Sequence, residues 1–175
     1  MLGGLPHHEG KELGMTDSAR VGIIMGSASD YPTMEGCIKQ LEEFGITADV
    51  IIASAHRHPD RVREWASSAA DRGLKVLIAG AGKAAALPGV VAAFTALPVI
   101  GVPMKTSDLG GMDSLLSIVQ MPTGVPVATV AINGVKNAAI LAAEIIGTGD
   151  AEMAGKIAAY KRKQSETIPE IPAGE

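Results

Sequence analysis

Five short apolar runs, at 21–25, 48–53, 76–79, 98–102 and 126–132, constrain the fold of this chain more than any other feature. Each gives way to glycine, proline or small polar residues and then to a segment patterned as a helix. Apolar runs without alternation read as strands buried on both faces. Strands that alternate with helices imply a mostly parallel sheet covered on both sides, an α/β architecture.

The intervening segments carry helix signals. Met34, Cys37, Ile38, Leu41 and Phe44 recur at i, i+3, i+4, i+7 spacing. Asp30 is placed to cap that helix, Pro32 suits its first turn and Gly45 its end. Pro59 and Asp60 open a second helix with Val62, Trp65, Ala66 and Ala69 inward, stopped at Gly73. A third runs to Thr95 and begins near Leu87, because Pro88 is tolerated only in a first turn. Asp113 is read as the cap of a fourth, broken after Met121. An alanine-rich helix over 138–146 and a more polar one over about 150–164 follow. The latter's Lys161, Arg162 and Lys163 read as a solvated, dipole-compatible end. Residues 1–19, with His7 and His8, read as a flexible leader, 20–165 as one domain and 166–175 as a tail.

A chain of 175 residues is long enough to bury about two-thirds of the surface its unfolded form exposes. The net charge of −4 offers no general footprint for nucleic acid or anionic membrane, so a phosphate site must be local. The stretch 76–103 is apolar enough to suggest a membrane span, but Lys83, Pro88 and Pro98 divide it into strand, turn, helix and strand. The single cysteine excludes an internal disulfide and agrees with a reducing cytoplasm.

Ligands of open α/β sheets bind beyond the carboxyl ends of the strands, and in the common 2-1-3 strand order the first three exits lie side by side. The first exit, Gly26 to Asp30, offers backbone N–H groups and the hydroxyls of Ser27 and Ser29, which suit a phosphate; Ser27, Ser29 and Asp30 serve equally as turn and cap residues. The second holds Ser54, Ala55, His56, Arg57 and His58. Arg57 is suited to clamp a phosphate and His56 to transfer a proton near neutral pH, while His58 beside Pro59 reads as an exposed turn residue. The third, Gly80, Ala81, Gly82, Lys83 and onward, lets backbone approach a ligand closely; Lys83 is either solvent-facing or aimed at an anion. No metal is expected, because Arg57 separates two imidazoles that have no carboxylate cluster. No Gly-x-Ser-x-Gly elbow supports a serine hydrolase.

Met25-Gly26-Ser27-Ala28-Ser29-Asp30, Ser54-Ala55-His56-Arg57, Ala79-Gly80-Ala81-Gly82, Leu87-Pro88-Gly89, Asp113-Ser114-Leu115 and Lys136-Asn137-Ala138-Ala139 together resemble the PurE family of purine biosynthesis. The resemblance runs from about Val21 to Gln164. It implies a flavodoxin-like three-layer sandwich with strand order 2-1-3-4-5, assembled as a homo-octamer without metal or organic cofactor. The implied activity is N5-carboxyaminoimidazole ribonucleotide mutase, by decarboxylation and recarboxylation with His56 as general acid and base. Ser27 and Arg57 match phosphate-binding positions and Asp30 a ribose-binding one; Ser54 and Ala55 line the pocket, and 80–82 hold the carbon dioxide and imidazole. The third loop departs from the family pattern: Lys83 stands for a glycine and Ala86, before Leu87, for a histidine. Lys83 is thereby a candidate charge for the substrate carboxylate. The alternatives are a carboxylase that takes carbon dioxide directly and a catalytically impaired nucleotide-binding paralogue.

Overall fold

The computed structural model describes residues 20–166; the leader reading of 1–19 and the tail reading beyond Glu166 lie outside the described residues. Five parallel strands form one sheet in the order β2-β1-β3-β4-β5. They are β1 (Val21–Met25), β2 (Ala48–Ile52), β3 (Val76–Ala81), β4 (Val99–Pro103) and β5 (Ala128–Thr129). Helices α1 (Tyr31–Glu43), α5 (Val135–Gly147) and α6 (Ala151–Glu166) lie on one side, and α2 (Pro59–Ser67), α3 (Leu87–Ala93) and α4 (Met112–Val119) on the other. This is the parallel sheet covered on both sides expected from the strand–helix alternation, in the flavodoxin-like order that the motif resemblance implies.

The period-2 geometry of each strand divides the core in two. Val21, Ile23, Met25, Val76, Ile78, Ile100 and Val102 pack with Met34, Cys37 and Leu41 of α1 and the alanines of α5. Ile24, Leu77, Ala79 and Val99 pack with Val62 and Trp65 of α2, Val91 of α3 and Ile118 of α4. The Trp65 indole donates to Asp49 of β2 at 3.0 Å, and the Arg72 guanidinium both pairs with Asp49 and lies over the Trp65 ring. That arrangement ties α2 to β2 just behind the loop that carries His56.

Several local expectations need correction. Asp30 makes no capping hydrogen bond; a 3-10 turn over Ala28–Asp30 winds into α1, so the cap moves upstream to Ser27, which accepts the Ser29 N–H. The cap position of α4 is Gly111 at φ +98, and Asp113 lies inside the first turn. β3 runs on through Gly80 and Ala81, because both still pair with β4 at Val102 and Pro103. β5 is shorter than 126–132: Pro126 cannot donate to a ladder, and the chain has turned by Asn133 at φ +55. β2 is an edge strand whose Val50 and Ile52 are exposed. No described helix is long and apolar enough to cross a membrane.

Candidate active site

All parallel strands end on one edge, so the loops leaving β1 to β4 gather there. They line an open pocket of about 650 Å³. The first loop contributes Gly26, Ser27, Ser29 and Asp30 to its wall. It is folded on itself: the Ser29 hydroxyl donates to Ser27 Oγ at 2.8 Å, and the Gly26 N–H reaches the Gly80 carbonyl at 3.3 Å. Burial pushes the Asp30 carboxyl pKa above its usual value, and a hydrogen bond to the Ser27 backbone offsets part of the rise.

The second loop contributes Ser54, Ala55, His56 and Arg57. Ser54 is buried; its Oγ accepts the Arg57 N–H at 3.3 Å and its carbonyl the His58 N–H at 2.8 Å. The turn so formed presents His56 on the pocket wall and sends the Arg57 guanidinium across to the Gly26 carbonyl at 3.2 Å. His58 lies exposed just before α2 and outside the wall.

The third loop contributes Ala81, Gly82, Lys83, Ala86 and Leu87. Gly80 is not on the wall: it is inside β3, and a Cβ there would meet Met34 Sδ at 2.8 Å on the far side of the sheet. Lys83 adopts φ +59, the left-handed region where glycine is at ease. Its ammonium pairs with Asp108 at 2.6 Å, which raises the lysine pKa and lowers that of the aspartate. The following turn is tight, with the Ala85 N–H on the Lys83 carbonyl at 2.8 Å and the Ala86 N–H on Ala84 at 2.7 Å.

A fourth wall, Met104, Lys105, Thr106 and Ser107, is absent from the residues chosen by sequence. Its signal was its place, a polar loop beyond the carboxyl end of the fourth strand. Thr106 Oγ1 donates to Asp113 at 2.8 Å and accepts the Gly111 N–H at 3.1 Å. The buried Ser114 hydroxyl donates to the Met104 carbonyl at 2.7 Å, and the Lys105 N–H to Asn133 Oδ1 at 2.8 Å. The Asp113-Ser114 pair therefore shapes the pocket from behind it.

The pocket combines hydroxyls and cations suited to anions, an imidazole suited to proton transfer, and Gly and Ala walls that admit a flat ring closely. A family model described as AIR carboxylase matches residues 20–167. The chain belongs to the AIR carboxylase family. Among its members, the N5-carboxyaminoimidazole ribonucleotide mutase of Thermotoga maritima is 60% identical over 151 residues, which are 86% of this chain and 88% of that protein. The corresponding mutase of Pyrococcus horikoshii is 54% identical over 150 residues, 86% of this chain and 85% of its own. A phosphoribosylaminoimidazole carboxylase of Candida glabrata is 55% identical over 148 residues, 85% of this chain but 26% of that protein. The crystal structure of Treponema denticola PurE matches with a TM-score of 0.76 at 33% identity, covering 83% of this chain and 91% of its own. The PurE resemblance carried by the motifs is thus an AIR carboxylase family membership.

Proposed function

We propose that this chain is an N5-carboxyaminoimidazole ribonucleotide mutase, an isomerase of purine biosynthesis that forms the 4-carboxylated nucleotide. One observation carries the reading: a single pocket unites His56, the Arg57 guanidinium and the Ser27–Ser29 turn with walls of glycine and alanine. The relatives named as mutases support it.

In this reading the ribonucleotide phosphate takes the Ser27 and Ser29 hydroxyls and Arg57, and Asp30 accepts from the ribose. Ser54 and Ala55 support the ring, and the Ala81–Gly82 backbone admits the carboxyl group. His56 as imidazolium gives a proton to the exocyclic nitrogen as the C–N bond breaks and carbon dioxide leaves. The ring carbon 4 then attacks the trapped carbon dioxide, and neutral His56 removes the proton from that carbon. One proton is given and one is taken back, so the reaction needs no cofactor and no metal. Close Gly and Ala walls would keep the small neutral intermediate near the ring.

A homo-octamer in the cytoplasm completes the proposal. Met112, Leu116 and Val119, exposed by 50%, 50% and 47%, recur at helical spacing along one side of α4, and Leu109, exposed by 65%, lies in the turn before it. With the uncovered β2 edge they provide apolar surface of the kind that assembly buries.

Direct carboxylation is the second reading, favoured by the carboxylase name of the Candida glabrata relative. The two separate by incubating the protein with N5-carboxyaminoimidazole ribonucleotide, or with aminoimidazole ribonucleotide plus bicarbonate, and following the 4-carboxylated product. The mutase converts the first efficiently at low bicarbonate. His56→Asn lowers kcat by at least about a hundredfold, as loss of a general acid–base does, with ribonucleotide binding retained. Binding without turnover by the unmodified protein would sink both enzyme readings in favour of a silent paralogue.

A further inference from the structure

Lys83 is the one pocket cation whose charge is committed to a carboxylate of the next loop. It leaves β3 at φ +59, fixed by the tight turn that follows, and its side chain is mostly exposed, as is that of Asp108. Lys83 lines the pocket, whereas Asp108 stands beyond its wall. Arg57, in contrast, is held at the opposite loop on the Gly26 carbonyl. With Lys105 on the fourth wall, the cations stand on separate walls of the cavity, and the nucleotide assigned above carries two separate anionic groups. An exposed ion pair is weak and exchangeable, and lysine is a point charge on a flexible stem. Lys83 is thus able to leave Asp108 for an anion inside the pocket without any change in the backbone.

We propose that Lys83 has two positions, resting on Asp108 in the empty pocket and turned onto the carboxylate of the bound nucleotide, with Asp108 as its competing counter-ion. The proposal rests on the mutase reading. It also gives Asp108 a purpose during turnover. Carbon dioxide is neutral, so the ammonium loses its partner when the first bond breaks, and Asp108 supplies one until the new carboxylate forms. Because both carboxylated nucleotides must displace Asp108, neither is held too tightly to leave.

The test is calorimetric binding of 4-carboxyaminoimidazole ribonucleotide and of aminoimidazole ribonucleotide, which lacks the carboxylate, to the intact protein at low salt. Lys83→Met should weaken the carboxylated nucleotide about tenfold, the worth of one charge-assisted hydrogen bond, and leave the other within about twofold. Lys83→Gly, which the left-handed backbone accepts, should do the same. Asp108→Asn should act in the opposite direction and tighten the carboxylated nucleotide alone by about threefold, with a lower KM, since a competitor has been removed. A strap that merely closes the pocket would weaken both nucleotides in both variants, and a solvated pair would change nothing; either result overturns the proposal. Wild-type protein that fails to convert the mutase substrate sinks the parent reading and this one with it. Wild-type turnover with binding insensitive to Lys83 sinks this one alone.

Discussion

Asp30 shows what the pocket costs the protein at the level of one residue. Its half-buried carboxylate has lost hydration, so its pKa in the folded state is raised above the ordinary 3.8. The folded form then holds the proton more tightly than the unfolded one, and the ionised carboxylate is a destabilising group. The penalty is present in full above the folded pKa, fades as pH falls through it, and is gone below the ordinary value. Asp30→Asn should therefore raise the thermal midpoint at pH 7, with the gain vanishing in melts below about pH 3.8, while turnover falls. An unchanged midpoint at pH 7 would show that the carboxylate is better solvated than its surroundings indicate. Ser27, His56 and Arg57 could be read as candidates from the sequence because motifs as well as their place beyond apolar runs marked them. Lys105, Thr106 and Ser107 could not, because no spacing distinguishes them from an ordinary polar loop. Gly80 was drawn into the site with the Gly80 to Gly82 turn, although a side chain there would face Met34 and only Ala81 and Gly82 of the three line the pocket.

At the level of elements, the closest packing lies over β4. A Cβ at Gly101 would overlap Ile118 of α4 and come within 2.9 Å of Val127 Cγ1 and 3.4 Å of Pro88 of α3. Strand, helix and edge segment all converge on a position without a side chain. Gly101→Ala should cost about 1–3 kcal/mol through overpacking, read as a lower denaturant midpoint with an unchanged m-value. Because α4 and α3 border the third and fourth loops, a weaker affinity for the nucleotide should accompany it. Strand existence was legible because buried parallel strands and amphipathic helices leave different periods in the chain, whereas the strand order came from the motif resemblance. Caps were not, because the Ser27 turn depends on how the backbone enters α1, and Asp113 on the position of Thr106 from another element. The shortness of β5 was hidden for the same reason: an edge partner decides how many residues pair, and only part of the 126–132 run finds one.

At the scale of the whole molecule, the described residues leave apolar areas uncovered at the α4 stripe and on the exposed side of β2. Their residues are individually ordinary; their alignment is what suggests association. Leu116→Glu places a charge in the middle of the stripe, where burial against another copy would be costly. Sedimentation should show a large assembly for the unmodified chain and a smaller species for the variant, with the far-ultraviolet spectrum unchanged. Equal sedimentation of the two would remove α4 from the interface. The homo-octamer expectation came from the motif resemblance and carried no contact face, since an apolar residue facing a partner and one facing the core look alike in sequence. The fourth wall of the pocket has a consequence in time as well as in space. Its Lys105 amide is held by Asn133, and its Met104 carbonyl by Ser114. A ribosome releases the His56 loop long before either of these, so a nascent chain carries His56 for much of its synthesis before the fourth wall of its pocket exists.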